Sequence, residues 1–166
     1  AGQRLVTVGQ RGHILYSDDA GQSWQQAAVP VSVDLNAVHF PTPELGWTVG
    51  NDGVILHSRD AGRTWSKQLD GRAIGNLLVA EGERLTTEGA DKPFLDVWFE
   101  NDQLGYVIGV FNLILRTSDG GKTWQPFQDR VDNPQGFHLN AITSTGDALY
   151  IAGEQGLLLK WDTGLG

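Results

Sequence analysis

Ser58-Arg59-Asp60-Ala61-Gly62-Arg63-Thr64-Trp65 is one of three versions of a single octet. Ser17-Asp18-Asp19-Ala20-Gly21-Gln22-Ser23-Trp24 precedes it, and Thr117-Ser118-Asp119-Gly120-Gly121-Lys122-Thr123-Trp124 follows it. All three read hydroxyl, any residue, Asp, any residue, Gly, any residue, hydroxyl, Trp. Each position has a use in a tight turn between two strands. The Ser/Thr hydroxyl and the Asp carboxylate accept hydrogen bonds from backbone N–H groups that a turn leaves unpaired. Gly supplies a positive φ that a Cβ disfavours. The second hydroxyl residue restarts a strand, and Trp buries a large apolar surface against a neighbouring layer. Such a repeat is the first thing to read in a chain.

Outward from the octets, the chain aligns with itself on Gly9, Gly50, Gly109 and Gly153. A short apolar strand precedes each: Leu5-Val6-Thr7-Val8, Trp47-Thr48-Val49, Tyr106-Val107-Ile108 and Leu149-Tyr150-Ile151-Ala152. A second follows: His13-Ile14-Leu15-Tyr16, Val54-Ile55-Leu56-His57, Leu113-Ile114-Leu115-Arg116 and Leu157-Leu158-Leu159-Lys160. Short runs rich in β-branched and aromatic residues, bounded by Gly and Asp, read as strands. Three units carry a further strand upstream, at Leu35 to Phe40, Leu95 to Phe99 and Leu139 to Thr143. A polar outer strand such as Ser66-Lys67-Gln68-Leu69 follows the Trp. Four strands in about forty residues is the pattern of a propeller blade. The expected fold class is therefore all-β, a β-propeller of four-stranded antiparallel blades over about 1–34, 35–72, 94–134 and 138–166.

The first unit lacks its innermost strand. The fourth lacks its outermost, its octet reduced to Trp161-Asp162-Thr163-Gly164. The expected strand count is three, four, four and three, or about 3.5–4 blades against the four to eight of a closed ring. Either a longer chain carries the remaining blades or two copies associate, since open blade faces invite association. The interval from Trp65 to Trp124 exceeds that from Trp24 to Trp65. The excess predicts a helical insertion within 73–93, with an amphipathic helix from about Ala73 to Glu88 ended by Pro93. Such an excursion carries specificity in some repeat proteins and merely covers a groove in others.

Composition narrows the function classes. A net charge of -8 over 166 residues argues against nucleic acid or an anionic membrane as partner. No apolar run is long enough for a transmembrane helix. Without Cys there are no disulfides or thiolate metal sites. No signal peptide is visible at Ala1-Gly2-Gln3, as is equally expected of a mature exported chain. His13, His39, His57 and His138 show no metal-ligand spacing, and no cofactor is expected. Asn36, Asp96 and Asn140 read as one polar column on the innermost strands, satisfying backbone groups or holding water or a cation. Trp24, Trp65 and Trp124 read as packing between blades.

The octet resembles the Asp-box, or BNR repeat, of many β-propellers. The longer unit from Leu35-Asn36-Ala37-Val38-His39-Phe40 through Leu45-Gly46-Trp47-Thr48-Val49-Gly50 to the second octet is similar to the photosystem II stability/assembly factor-like family. The resemblance implies that Ser17, Asp19, Gly21, Trp24, Ser58, Asp60, Gly62, Trp65, Thr117, Asp119, Gly121 and Trp124 hold hairpins at the rim. It also implies a non-catalytic scaffold that binds partner polypeptides, among them a membrane-complex subunit, and a periplasmic or otherwise exported location. Antiparallel alternation places the turns between second and third strands on the face opposite the octets, together with the inter-blade links. Candidate partner-binding residues there are Arg11, Asn51, Asp52, Phe111, Asn112, Arg130, Glu154 and Gln155. The alternative is a sialidase-like glycoside hydrolase, for which family resemblance implies an Arg-Ile-Pro signature, three clustered arginines and a Tyr nucleophile paired with Glu. The chain has no Arg-Ile-Pro, Arg59 and Arg63 lie inside an octet, and Tyr16, Tyr106 and Tyr150 fall in strands.

Overall fold

In a computed structural model, which describes residues 3–80, 92–146 and 148–162, the chain forms four antiparallel sheets in sequence order. The first holds β1 (Leu5–Val8), β2 (Ile14–Ser17) and β3 (Gln25–Gln26). The second holds β4 (Leu35–His39), β5 (Gly46–Gly50), β6 (Ile55–Ser58) and β7 (Ser66–Leu69). Helix α1 (Gly71–Ala80) follows. The third sheet holds β8 (Phe94–Phe99), β9 (Gly105–Gly109), β10 (Ile114–Thr117) and β11 (Gln125–Pro126). The fourth holds β12 (Leu139–Thr145), β13 (Ala148–Gly153) and β14 (Leu158–Asp162). Among the described residues strands pair only with sequence neighbours, giving three, four, four and three, as the repeat predicts. Helix α1 begins at Gly71, two residues before the expected start, because the Asp70 carboxylate accepts the Ala73 N–H and caps it. The expected continuation to Glu88 lies outside the described residues.

Alternation along each strand puts one row of side chains toward the preceding sheet and the other toward the following one. Three cores result. Ile14, Leu35, Val54, Leu56 and Trp65 fill the space between the first and second sheets. Trp47, Val49 and Ile55 meet Phe94, Val97, Phe99, Leu115 and Trp124 between the second and third, with Ile74 of α1 adding to the same cluster. Tyr106, Ile108 and Ile114 meet Leu139, Ile142, Leu149 and Ile151 between the third and fourth. The middle core contains a stack, with Trp47 3.7 Å from Phe99 and 4.4 Å from His57, ring centroid to ring centroid.

The two outward faces of this arc have no such cover among the described residues. Trp24 is 42% exposed where Trp65 is 6% and Trp124 is 4% exposed. It therefore does not pack between blades, contrary to the expectation, because no sheet precedes the first among the described residues. At the other end Leu158 is 68% exposed, although the same repeat position holds fully buried Ile14 and Ile55.

The expected polar column is corrected by one residue. Each innermost strand has a register shift near its start, between Leu35 and Ala37, Phe94 and Asp96, and Leu139 and Ala141. Through that bulge Asn36 and Asn140 are equivalent to Leu95, whereas Asp96 takes the register of Ala37 and Ala141. Besides bonds within their own sheets, Asn36 to Asn51 Oδ1 and Asp96 from the Val97 N–H, both residues reach the next sheet. Asn36 Nδ2 donates to the Phe94 carbonyl at 2.7 Å, and Asp96 Oδ2 accepts the Ile142 N–H at 2.9 Å. His39 adds a third link, its Nδ1 accepting the Phe99 N–H at 2.9 Å. These side chains tie adjacent sheets together at their inner edges.

Candidate functional site

The two rims of the arc are built differently. On the octet rim each carboxylate is spent inside its own turn. Asp60 accepts the Ser58 hydroxyl at 2.9 Å, the Thr64 N–H at 2.9 Å and the Thr64 hydroxyl at 2.6 Å, while the Ser58 oxygen accepts the Gly62 N–H at 2.8 Å. The first and third octets repeat this set through Asp19 and Asp119. Ala20, Ala61 and Gly120 take φ between 57° and 71°, each followed by a Gly with positive φ. The indole N–H of Trp24 and of Trp65 donates to the octet Gly carbonyl at 3.1 Å, whereas Trp124 Nε1 finds no partner among the described residues. Beside it, Gln68 of the second sheet reaches in, accepting from Trp47 Nε1 and donating to the Gly120 carbonyl.

These bonds set the acidity of the carboxylates. The Ser23 hydroxyl and N–H hold Asp19 down at about 2. Burial pushes Asp60 and Asp119 upward, yet the Thr64 and Thr123 bonds outweigh it and both end below the ordinary value. A carboxylate bonded this way is held ionised by its own turn, and holding that turn is its role. Asp60→Ala is expected to cost about 2 kcal/mol, from unmaking several turn bonds at once. Urea denaturation reads that loss.

The opposite rim carries four copies of another turn. Gln10-Arg11-Gly12-His13, Asn51-Asp52-Gly53-Val54, Val110-Phe111-Asn112-Leu113 and Glu154-Gln155-Gly156-Leu157 each close with a bond from the fourth N–H to the first carbonyl. Their central pairs have positive φ, from 53° at Phe111 to 81° at Gly156. This is the type I′ hairpin turn, whose twist matches the strands it joins. Its second position projects outward, so Arg11, Asp52, Phe111 and Gln155 are all exposed on one face. Gly53 leaves room for α1, since a Cβ there would strike Ile74 and press on Gly71. The helix start therefore lies on this face.

The remaining candidates divide by what they already hold. Asn51 N–H donates to the Asp34 carbonyl, and its Oδ1 accepts from Asn36. Asn112 Oδ1 accepts from the buried Asn133, and Glu154 Oε2 accepts the His138 N–H. These three buttress turns and links. Arg130 is exposed at the end of a 3₁₀ turn over Gln128–Arg130.

The turn at Phe111 departs from the other three. It puts a phenylalanine where they carry Arg, Asp or Gln, and Asn where they carry Gly. Phe111 is 62% exposed. A bulky residue is seldom found in the left-handed region. This one is held there by its N–H, which donates to His138 Nδ1 at 2.9 Å, and by the Asn112 N–H, which donates to the Phe137 carbonyl at 3.2 Å. The Phe111 ring meets His138 edge-on at 4.6 Å, and Lys92 Nζ lies 5.2 Å from its centroid. The sequence reading names His138 only as a histidine without metal-ligand spacing and does not single out Lys92. The signal available was the break in the turn pattern at Phe111-Asn112.

Among the described residues no three His, Asp or Glu side chains are grouped to share an ion, and no helix is long and apolar enough to cross a membrane. Arg59 and Arg63 are exposed on the octet rim, away from the type I′ face.

Comparisons with known proteins agree with this geometry. The profile of the family described as "Photosynthesis system II assembly factor YCF48" matches twice, over residues 3–90 and 83–165. A "Photosystem II assembly lipoprotein Ycf48" from Synechococcus sp. (strain RCC307) is 39% identical over 59 residues, which are 36% of this chain and 18% of the relative. One of the same name from Prochlorococcus marinus is 35% identical over 60 residues, 36% of this chain and 17% of the relative. Among solved structures, "YCF48 bound to D1 peptide" superimposes with a TM-score of 0.65 at 20% identity, covering 96% of this chain and 46% of that one. "YCF48 from Cyanidioschyzon merolae" gives 0.66 at 19%, covering 97% and 51%. The chain spans about half the length of these solved relatives, and their likeness is one of fold. With the family profile covering nearly every residue and the octets folded as its repeat requires, this chain belongs to the photosystem II assembly factor YCF48 family.

Proposed function

We propose that the chain is a non-catalytic binding scaffold that holds a segment of a partner polypeptide on its type I′ face. The observation that carries this reading is Phe111, an exposed aromatic ring kept in an unfavourable backbone region by two bonds from the link that follows the third sheet. Strain of this kind persists where surrounding structure imposes it, and it clusters at binding sites. Aromatic anchors also dominate binding energy in protein interfaces. A solved relative is bound to a D1 peptide, and the relatives named assembly lipoproteins point to an exported, membrane-adjacent setting. The corresponding partner here is a membrane-complex subunit that the exported chain meets outside the cytoplasm. The acidic balance of the chain, -8 overall, favours a protein partner over nucleic acid. The bare end faces at Trp24 and Leu158 are where further blades, or a second copy, complete the ring.

The test is titration of a fluorescent D1 peptide into the wild-type chain and into Phe111→Asn. Asn tolerates the left-handed region, so the thermal midpoint should stay or rise, while affinity falls at least tenfold. Unchanged affinity in Phe111→Asn removes this face from the account. Turnover of a fluorogenic sialoside by the wild-type chain would instead favour the glycosidase reading.

A further inference from the structure

A second feature of the same face lies between the first and second sheets, apart from Phe111 on the third. Where the link after the first sheet crosses to the second, a cavity of about 330 Å³ opens beside the start of α1. Val31, Val33 and Val54 give it apolar walls, and Val54 is 2% exposed. Four charged side chains line it as well. Two of them neutralise each other, for Lys67 Nζ lies 2.7 Å from Asp70 Oδ2. That bond, and the Ala73 N–H behind it, hold the Asp70 carboxyl below its ordinary value. The other two are Asp52, at the exposed position of its type I′ turn, and Arg72, exposed in the first turn of α1. Neither has an ion-pair partner among the described residues. One free anion and one free cation thus flank an apolar hollow.

Resting on the binding face assigned above, we propose that this hollow is a side-chain pocket for a partner polypeptide carrying an apolar residue with an acidic and a basic residue on either side of it. The size is at the low end of ligand pockets and suits one aliphatic side chain with its backbone. An extended segment points every second side chain the same way. The partner charges therefore sit two residues before and two after the apolar one, the acid against Arg72 and the base against Asp52. Arg72 offers a planar fork that a carboxylate matches in two bonds. A uniformly acidic or uniformly basic segment would set one of its charges against a like charge on the rim, which is how such a rim selects.

The probes are acetylated nine-residue peptides with a central Leu and Glu and Lys two residues to either side, in both orders. Controls carry two Glu, two Lys, or Ser in place of Leu. Methyl NMR of Val31, Val33 and Val54 in the intact chain reads both affinity and place. A mixed-charge peptide is expected to bind at least tenfold more tightly than any control, with shifts at those three residues. Asp52→Arg then makes both rim charges positive and should turn the preference toward the two-Glu peptide. This variant suits the fold, because Arg11 occupies the same turn position of the first sheet at φ 55°, against 56° for Asp52. Equal binding of all peptides, no shift at the three valines, or an unaltered preference in Asp52→Arg overturns the pocket. The broader reading fails separately: if Phe111→Asn abolishes D1-peptide binding while the valine pocket discriminates nothing, the face stands and the pocket falls. If Phe111→Asn has no effect and the peptides still sort by charge, the pocket stands and Phe111 falls as the anchor.

Discussion

Trp65→Ala is expected to destabilise the chain by about 3–5 kcal/mol, while Trp24→Ala costs about 1 kcal/mol or less. The two residues hold the same place in their octets, and both indoles donate to an octet Gly carbonyl. They differ only in what lies against them. Trp65 is wedged among Ile14, Leu35 and Leu56, and its ring meets Phe40 edge-on at 5.9 Å. Removing it leaves a cavity that two paired sheets cannot close without breaking register. Trp24 faces outward and is 42% exposed, so truncating it leaves little void. Urea titrations of both variants read the contrast, and equal losses would mean that the outer face of the first sheet is covered after all.

Acid should weaken the fold in two stages, and the first belongs to histidine. His57 is 6% exposed and stacked on Trp47, and burial, with Arg59 nearby, pushes it from 6.5 to about 4. A histidine whose folded value lies below its unfolded one is favoured neutral by the folded state. Its stabilising contribution is complete above about 6.5 and is lost as pH falls through 4, by roughly 3 kcal/mol in all. His39, lowered by burial, acts in the same direction. The octet carboxylates follow at lower pH, because their folded values lie below 3.8 and protonation undoes their turns. His57→Phe keeps a ring against Trp47 and removes the titration. Its stability should therefore be flatter than wild type between pH 6.5 and 4 and parallel to it below. An equally steep wild-type and variant profile in that window would exclude His57 as the group responsible.

Much of this architecture is legible in the chain because its signals are local. Octets, flanking glycines and alternating runs each act within a few residues, so the strand count and the position of both rims follow from spacing. What escapes depends on neighbours. Trp24 and Trp65 are indistinguishable as letters, and only the presence of a preceding sheet separates them. Asp96 looks equivalent to Asn36 until the bulge at Leu95 moves it one place and turns it onto Ile142. Gln68 reads as a polar outer-strand residue, yet it fills the space beside Gly121 in the next blade. The proposed partner-facing set is half visible. The turn positions of Arg11, Asp52, Phe111 and Gln155 come from alternation alone, whereas the hold of His138 on Phe111 is a contact between residues far apart in sequence. Asn51, Asn112 and Glu154 looked equally available, and each proves committed to a backbone or side-chain partner.

Division of labour between the two rims is the central claim, and a hydrogen-exchange footprint of the chain saturated with a D1 peptide tests it most directly. Slowed exchange is expected at 10–13, 51–54 and 110–113 and across the links beside them, with none at 17–24, 58–65 or 117–124. Protection confined to the three octets, or no protection anywhere, would contradict it.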